Sequence, residues 1–484
     1  MSFTVDFKQH SIGALHSALA SYRTTPEDVA QQCITQHRST EAAAKAWVVF
    51  DGEKLLAAAR AAAARLAAGE PLRALEAVPV GVKDIFNTTD LPTQMGSPLW
   101  HNFTPGNDAR AVFNLKRAGG LVAGKTVTAE FAVHTLGKTL NPWAPERTPG
   151  TSSSGSAVAV ALGVVPAALG TQTAGSIVRP ASFCGVWGMK PSFGLIPRTG
   201  MLKTTDSLDT VGFFTGHASD LHRMLDALRV HGRNYPLSDR AFNSTTRQAA
   251  PENRPWRVGF VRPHVWQHAP TYAQVALVDW LKALQADLRF DVVDAVLPED
   301  MAECHPLHAT IYNRALAYYF KQEFQKAELV SPVMNALIAA GNKVSVPGYS
   351  AALARQIELA RLMDRFTQDF DVLVTLSTAG VAPLRQVEER PDSALMWTLA
   401  QLPSISAPVF KGPHALPFGL QIVARRYNDP LLLKFVAEAV QRGHLPASSY
   451  QQRYGCEQMM PNQTSVDASA TAAAPVTAQE WSPA

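Results

Sequence analysis

Residues 148–176 read TPGTSSSGSAVAVALGVVPAALGTQTAGS. Two Gly/Ser-rich turns are joined by a small-residue helix and a short apolar run, a pattern unlike a linker. Nucleophilic serine chemistry needs a hydroxyl on a tight turn, a base to take its proton, and free backbone N–H groups facing the developing oxyanion. Gly and Ser at these spacings supply the turn and the donors. The base has to come from elsewhere, and its strongest source is Lys83 in PVGVKDIF (79–86), where an apolar run ends on a lysine.

Working outward, AVPVGVKDIF (77–86) is short, β-branched and apolar, which reads as a buried strand entering a loop. A helix over 109–117 follows, capped by Asp108, then Gly119-Gly120 and the strand Leu121 to Gly124. This alternation predicts an α/β architecture. Upstream, Thr25-Pro26-Glu27-Asp28 carries the signature of a capped helix running to about His37, and an Ala-rich helix covers Gly52 to Ala68. Downstream come a helix over Ser219 to Val230, a polar loop from Asn234 to Arg254, the strand 256–260, a helix from Tyr272 to Leu288, and the strand 290–293. Strands at 371–376 and 420–423 need partners in a sheet begun earlier, so the polar loop is not read as a boundary between independent domains. The expected organisation is one domain over 1–455 with an N-terminal helical region and a variable pocket region at about 230–400. Residues 456–484, Ala/Ser/Thr/Pro-rich toward their end, are expected to be disordered.

Composition narrows the partners. The 484 residues are 46% hydrophobic and 17% charged, with a net charge of +4 and no stripe of Lys and Arg, which argues against nucleic-acid binding. Cys33, Cys184, Cys304 and Cys456 are far apart and form no CxxC pair, as in a reduced cytoplasmic chain. Asp6 and Lys8 interrupt the N-terminus before any secretory apolar stretch. The longest low-charge run, 148–177, is too rich in Gly, Pro and hydroxyls to span a membrane. The expectation is a soluble cytoplasmic protein.

Each candidate has a blander reading. Lys83 could snorkel from a strand end, one of Ser152, Ser153 and Ser154 could cap the following helix, and Ser176 could sit in a structural turn. Their coexistence in one chain favours the Ser-Lys variant of triad chemistry. His134, His305 and His308 lack carboxylate or cysteine partners at metal spacing, so no metal site is expected. Cys184 reads as a small hydrophobe, Asp84 and Lys190 as structural. Tyr312, Tyr318, Tyr319, Phe320 and Phe324 lie at helical spacing, as core or as the wall of an acyl pocket.

GVKD at 81–84, GTSSSGS at 150–156 and GTQTAGSIVR at 170–179 together resemble the amidase signature family, whose motifs are GVKD, Gly-Gly-Ser-Ser-Gly-Gly-Ser and Gly-Thr-Asp-x-Gly-Gly-Ser-Ile-Arg in that order. The similarity covers roughly 75–215 well and 365–440 more thinly, through LPTQMGSPLW, FCGVWGMKPSFG and LPFGLQIV. The resemblance implies a large mixed β-sheet sandwiched between layers of helices. It also implies Ser176 as nucleophile, Ser152 as a bridging serine on a cis peptide, Lys83 as base, and the backbone N–H groups of Thr173, Ala174, Gly175 and Ser176 as oxyanion hole. Thr151 and Ser154 stand where the family has glycines, and Gln172 and Ala174 where Asp and Gly are usual. Thr151, Ser154, Met95 and Tyr312 are therefore the substrate-contacting candidates.

The leading expectation is a cofactor-independent amidohydrolase that cleaves a non-peptide carbon–nitrogen bond in a small-molecule amide through an acyl-enzyme. Esters, anilides and carbamates (urethanes) are natural extensions. The alternatives are the glutaminase subunit of a tRNA-dependent amidotransferase, which needs partner chains, and a catalytically inactive binding protein on the same fold. The sequence leaves the oligomeric state open, a homo-oligomer included.

Overall fold

The apolar runs become strands of one sheet. Among the residues described by the computed structural model, 3–450, eleven strands form it. They are β1 Trp47–Phe50, β2 Pro79–Lys83, β3 Leu121–Thr126, β4 Ala167–Gln172, β5 Trp187–Lys190, β6 Thr210–Thr215, β7 Trp256–Phe260, β8 Phe290–Asp294, β9 Val372–Leu376, β10 Ser404–Lys411 and β11 Pro417–Val423. Their spatial order is β1-β3-β2-β4-β6-β5-β10-β11-β9-β7-β8. Parallel pairs lie toward the ends, β2 with β3 and β4, and β7 with β8 and β9. The strands between them are antiparallel. The strands after residue 254 stand in the sheet begun before it, as their need for partners predicts. The tail at 456–484 lies outside the described residues.

Alternation along the central strands gives the sheet two buried faces. Val80, Val82, Leu169 and Phe213 point to one, packed against the helices Arg110–Arg117, Asp220–Leu228, Thr271–Gln285 and Asp429–Gln441. Ala168 and Phe214 point to the other, packed against Pro26–Ala44, Gly52–Ala67, Ser154–Ala161 and Val178–Cys184. Helices thus cover both faces of a mixed sheet, the fold class expected. Among the described residues no helix is long and apolar enough to cross a membrane.

Local differences have local causes. The helix capped by the Thr25–Asp28 box continues to Ala44 rather than His37, because the Ser39 and Thr40 hydroxyls donate back to Gln36 O at 2.9 and 2.7 Å instead of breaking the turn. Asp108 does not cap its helix. Ala109 holds that position with no side-chain bond, while Asp108 accepts from Thr89 N at 2.9 Å and pairs with Lys116 at 2.9 Å. The polar loop contains a short helix, Pro236–Phe242. No serine side chain caps Ser154–Ala161, because Ser153 turns its hydroxyl inward to Lys83 and β4.

Every residue of Ser154–Ala161 is buried, and its small side chains set how near it approaches the sheet. A Cβ on Gly155 would lie 2.3 Å from Ala46 O and 2.4 Å from Val127 N, backbone atoms with no room to retreat. Gly155→Ala is expected to destabilise the fold by roughly 3 kcal/mol. A denaturant midpoint within error of wild type would show that the helix can shift outward.

Candidate active site

β2 carries Lys83 on its last residue, between β3 and β4, with its side chain fully buried. Nζ lies 2.7 Å from Ser152 Oγ, 2.9 Å from Ser153 Oγ and 3.0 Å from Thr171 Oγ1. Ser153 Oγ donates to Thr171 O at 3.1 Å and accepts from Thr171 N at 3.2 Å, which ties the serine turn to the end of β4. The Thr151–Ser152 peptide is cis. Burial pushes the Lys83 amine well below the ordinary lysine range, and the negative charge of Asp209 partly opposes it.

Two other lysines are as deeply buried and differ in what surrounds them. Lys125 Nζ faces Phe86 O at 2.9 Å, Pro92 O at 3.0 Å, Thr93 Oγ1 at 2.7 Å and the Asp84 carboxylate at 3.2 Å. Burial lowers it to about 8 against the pull of Asp84. Lys190 donates to Leu402 O and Pro191 O. Carbonyls and carboxylates only accept, so these two amines act as donors. The hydrogen-bond partners of Lys83 are instead all hydroxyls, which can give a proton as well as receive one.

The second turn is held by its carbonyls and side chains. Gln172 Oε1 accepts from the N–H groups of Ile177 and Val178, both at 2.9 Å, at the start of the following helix. Its amide donates to Thr398 Oγ1 at 2.9 Å, and Thr398 in turn donates to Ala174 O at 2.8 Å. His308 Nε2 donates to Thr173 O at 2.9 Å. Thr173 Oγ1 donates to Asp209 at 2.7 Å, a carboxylate that also accepts from backbone and hydroxyl of Thr204 and Thr205. The N–H groups of Ala174, Gly175 and Ser176, by contrast, donate to no protein acceptor among the described residues. Ser176 follows Gly175 and is 9% exposed.

Met95 and Tyr312 lie in one apolar cluster with Phe131, Leu208, Leu316 and Trp397. Thr151 and Ser154 are buried on the serine turn, Thr151 before the cis bond and Ser154 opening the helix. The helix Cys304–Tyr319 splits the aromatic run, burying Tyr312 and leaving Tyr318 74% exposed. Sequence reasoning missed Thr171, Asp209 and Thr398, and weighed Ser153 only as a helix cap and His308 only as a metal ligand. Ser153 was visible in the serine triplet, whereas Asp209 and Thr398 lie 36 and 226 residues from their turn partners and carry no spacing signal. His308 faces Thr173, and His305 faces His264, 41 residues upstream, and Cys304, a cysteine partner that the sequence reading denied it.

Comparison with known proteins adds an independent line. A family model described as Amidase matches residues 28–433. A glutamyl-tRNA(Gln) amidotransferase subunit from Chloroflexus aggregans is 29% identical, over 89% of this chain and 96% of that protein. A crystal structure of an amidase superposes with TM-score 0.80 at 26% identity, covering 90% of this chain and all of the other. The peptide amidase of Stenotrophomonas maltophilia shares the fold, with TM-score 0.77 at 23% identity over 92% and 99% of the two chains.

Proposed function

Because the chain belongs to the Amidase family, we propose that it is a serine amidohydrolase in which Ser176 attacks the substrate carbonyl, Ser152 relays the proton and Lys83 receives it. The observation that carries this reading is the hydroxyl shell of Lys83. A neutral amine has two hydrogens and one lone pair. Ser153 spends its own hydrogen on Thr171 O, so it accepts from Lys83. With the second hydrogen on Thr171 Oγ1, the lone pair faces Ser152 Oγ at 2.7 Å. A base oriented in this way draws the proton from Ser152 as Ser152 draws one from Ser176.

The free N–H groups of Ala174, Gly175 and Ser176, with that of Thr173, receive the oxyanion, each donor worth roughly 3 kcal/mol. The proton then returns along the relay to the leaving amine, and water hydrolyses the acyl-enzyme to carboxylic acid and amine or ammonia. The route uses side chains and backbone alone and requires no cofactor. Gln172, where the family has Asp, satisfies two helix N–H groups with its oxygen and without a charge, and its nitrogen finds Thr398.

Met95, Phe131, Tyr312 and Trp397 support an apolar acyl group. A Cβ on Gly175 would lie 2.8 Å from Arg179 Nη2, so this guanidinium stands beside the turn. It is already committed to Glu389 at 2.9 Å and Asp392 at 2.7 Å, which disfavours it as an anchor for a free substrate carboxylate. A second reading, the glutaminase subunit of an amidotransferase, is favoured by the Chloroflexus relative. A panel of aliphatic and aryl amides, anilides, esters, carbamates and glutamine separates the two. The expected result is turnover of amides with apolar acyl groups by the isolated chain, with glutamine poor. Glutaminase activity that arises only with copurified partner subunits would replace the first reading by the second.

A further inference from the structure

The far end of the helix that brings His308 and Tyr312 to the site has chemistry of its own. Its first two residues are Cys304 and His305, and they meet His264, from the short turn His264–His268 that follows β7. His305 Nδ1 lies 3.0 Å from His264 Nε2 and 3.4 Å from Cys304 Sγ, and all three donor atoms fall within 4.8 Å of one another. The imidazoles stand nearly perpendicular, at 84°.

Two nitrogens and a sulfur around a tetrahedral zinc-sized ion sit about 3.4 Å (N to N) and about 3.6 Å (S to N) apart, from bond lengths of about 2.05 and 2.3 Å. The observed 3.0 and 3.4 Å separations are a few tenths of an ångström shorter, and the third pair, His264 Nε2 with Cys304 Sγ, lies within 4.8 Å, so an ion enters as the two rings turn apart and the His264 ring swings toward the sulfur. Cys304 is buried whereas His264 is exposed. His264 also lines a cavity of about 430 Å³, bordered by Asp294 and Glu299, through which ion and water can enter. A thiolate with two imidazoles selects zinc-like transition ions over magnesium or calcium, which take oxygen ligands.

We propose that His264 Nε2, His305 Nδ1 and Cys304 Sγ bind one divalent transition-metal ion of the zinc type, with water in the fourth position. As the sulfur–metal bond forms, the thiol releases its proton to solvent, and no electron is transferred. The ion ties the first turn of Cys304–Tyr319 to the connection after β7, and so braces the helix whose next turn places His308 against Thr173.

The test is a cobalt(II) titration of the full-length protein, followed by zinc competition. The expected result is one cobalt per chain, with the intense visible absorption of tetrahedral coordination and a sulfur-to-cobalt charge-transfer band, both removed by zinc and untouched by magnesium. Cys304→Ala should lose the charge-transfer band. His264→Ala, a change at an exposed side chain, should weaken cobalt affinity by at least about 100-fold, the upper end of what losing an outer partner costs. Bound metal should also raise the melting temperature of wild type and not that of His264→Ala. A charge-transfer band that survives Cys304→Ala, or an unchanged affinity in His264→Ala, overturns the site and leaves the trio as a hydrogen-bonded cluster.

Discussion

Ser176→Ala is expected to lower kcat by roughly 10⁶-fold, the scale on which removal of a serine nucleophile acts in comparable relays. The substitution removes one oxygen and leaves the surrounding scaffold in place. The carbonyls of Thr173 and Ala174 stay fixed by His308 and Thr398, and the N–H groups of Ile177 and Val178 stay on Gln172. The oxyanion donors are therefore retained, and the stability change should stay within about 0.5 kcal/mol. Single-turnover kinetics on the best amide from the substrate panel checks the rate. Labelling by a serine-directed fluorophosphonate, present in wild type and absent in the variant, checks the identity of the nucleophile and excludes an inactive binding protein. Turnover within tenfold of wild type would remove Ser176 from that role.

Lys83→Met should cost about 10⁴-fold in kcat, the upper range for loss of a general base. It keeps the apolar stem in the buried end of β2 while deleting the group that contacts Ser152, Ser153 and Thr171. In wild type the reactive form is the neutral amine, whose fraction grows as pH rises through the lysine pKa. Activity should therefore show an acid limb, low where Lys83 is protonated and levelling off above. Burial places this limb well below the ordinary lysine range. Asp209 holds it up, so Asp209→Asn should move the limb to still lower pH. The pH dependence of kcat under chemistry-limited conditions reads this directly. A limb that persists unchanged in Lys83→Met, or that moves upward in Asp209→Asn, would assign the titration to another group.

Much of the fold was legible because its signals are local. The Thr25–Asp28 capping box, the β-branched run ending at Lys83 and the small-residue helix after Ser153 each declare themselves within a few residues. Where the reading slipped, a distant partner decided. Asp108 looked like a cap but found Thr89 and Lys116, and the serines before Ser154–Ala161 found a lysine 69 or 70 residues upstream instead of the helix end. The aromatic run after Tyr312 was periodic, yet only packing shows that Tyr312 is buried and Tyr318 faces solvent.

By itself, the sequence determined an α/β chain, its family resemblance, and the three positions, Lys83, Ser152 and Ser176, on which a serine hydrolase reading rests. The α/β alternation and the Gly/Ser turns follow from residue type and short-range spacing, which turns and strands convert directly into geometry, whereas the choice of Ser152 and Ser176 among the serines is what the family resemblance implies. Tertiary structure alone decided that the partners of Lys83 are all hydroxyls while Lys190 faces carbonyls and Lys125 faces carbonyls, a hydroxyl and the Asp84 carboxylate, that Asp209 faces Thr173, and that His264 meets Cys304 and His305. The physical reason is that protonation and coordination depend on which groups share a dry space, and in a sheet whose neighbours are not consecutive that company comes from far along the chain.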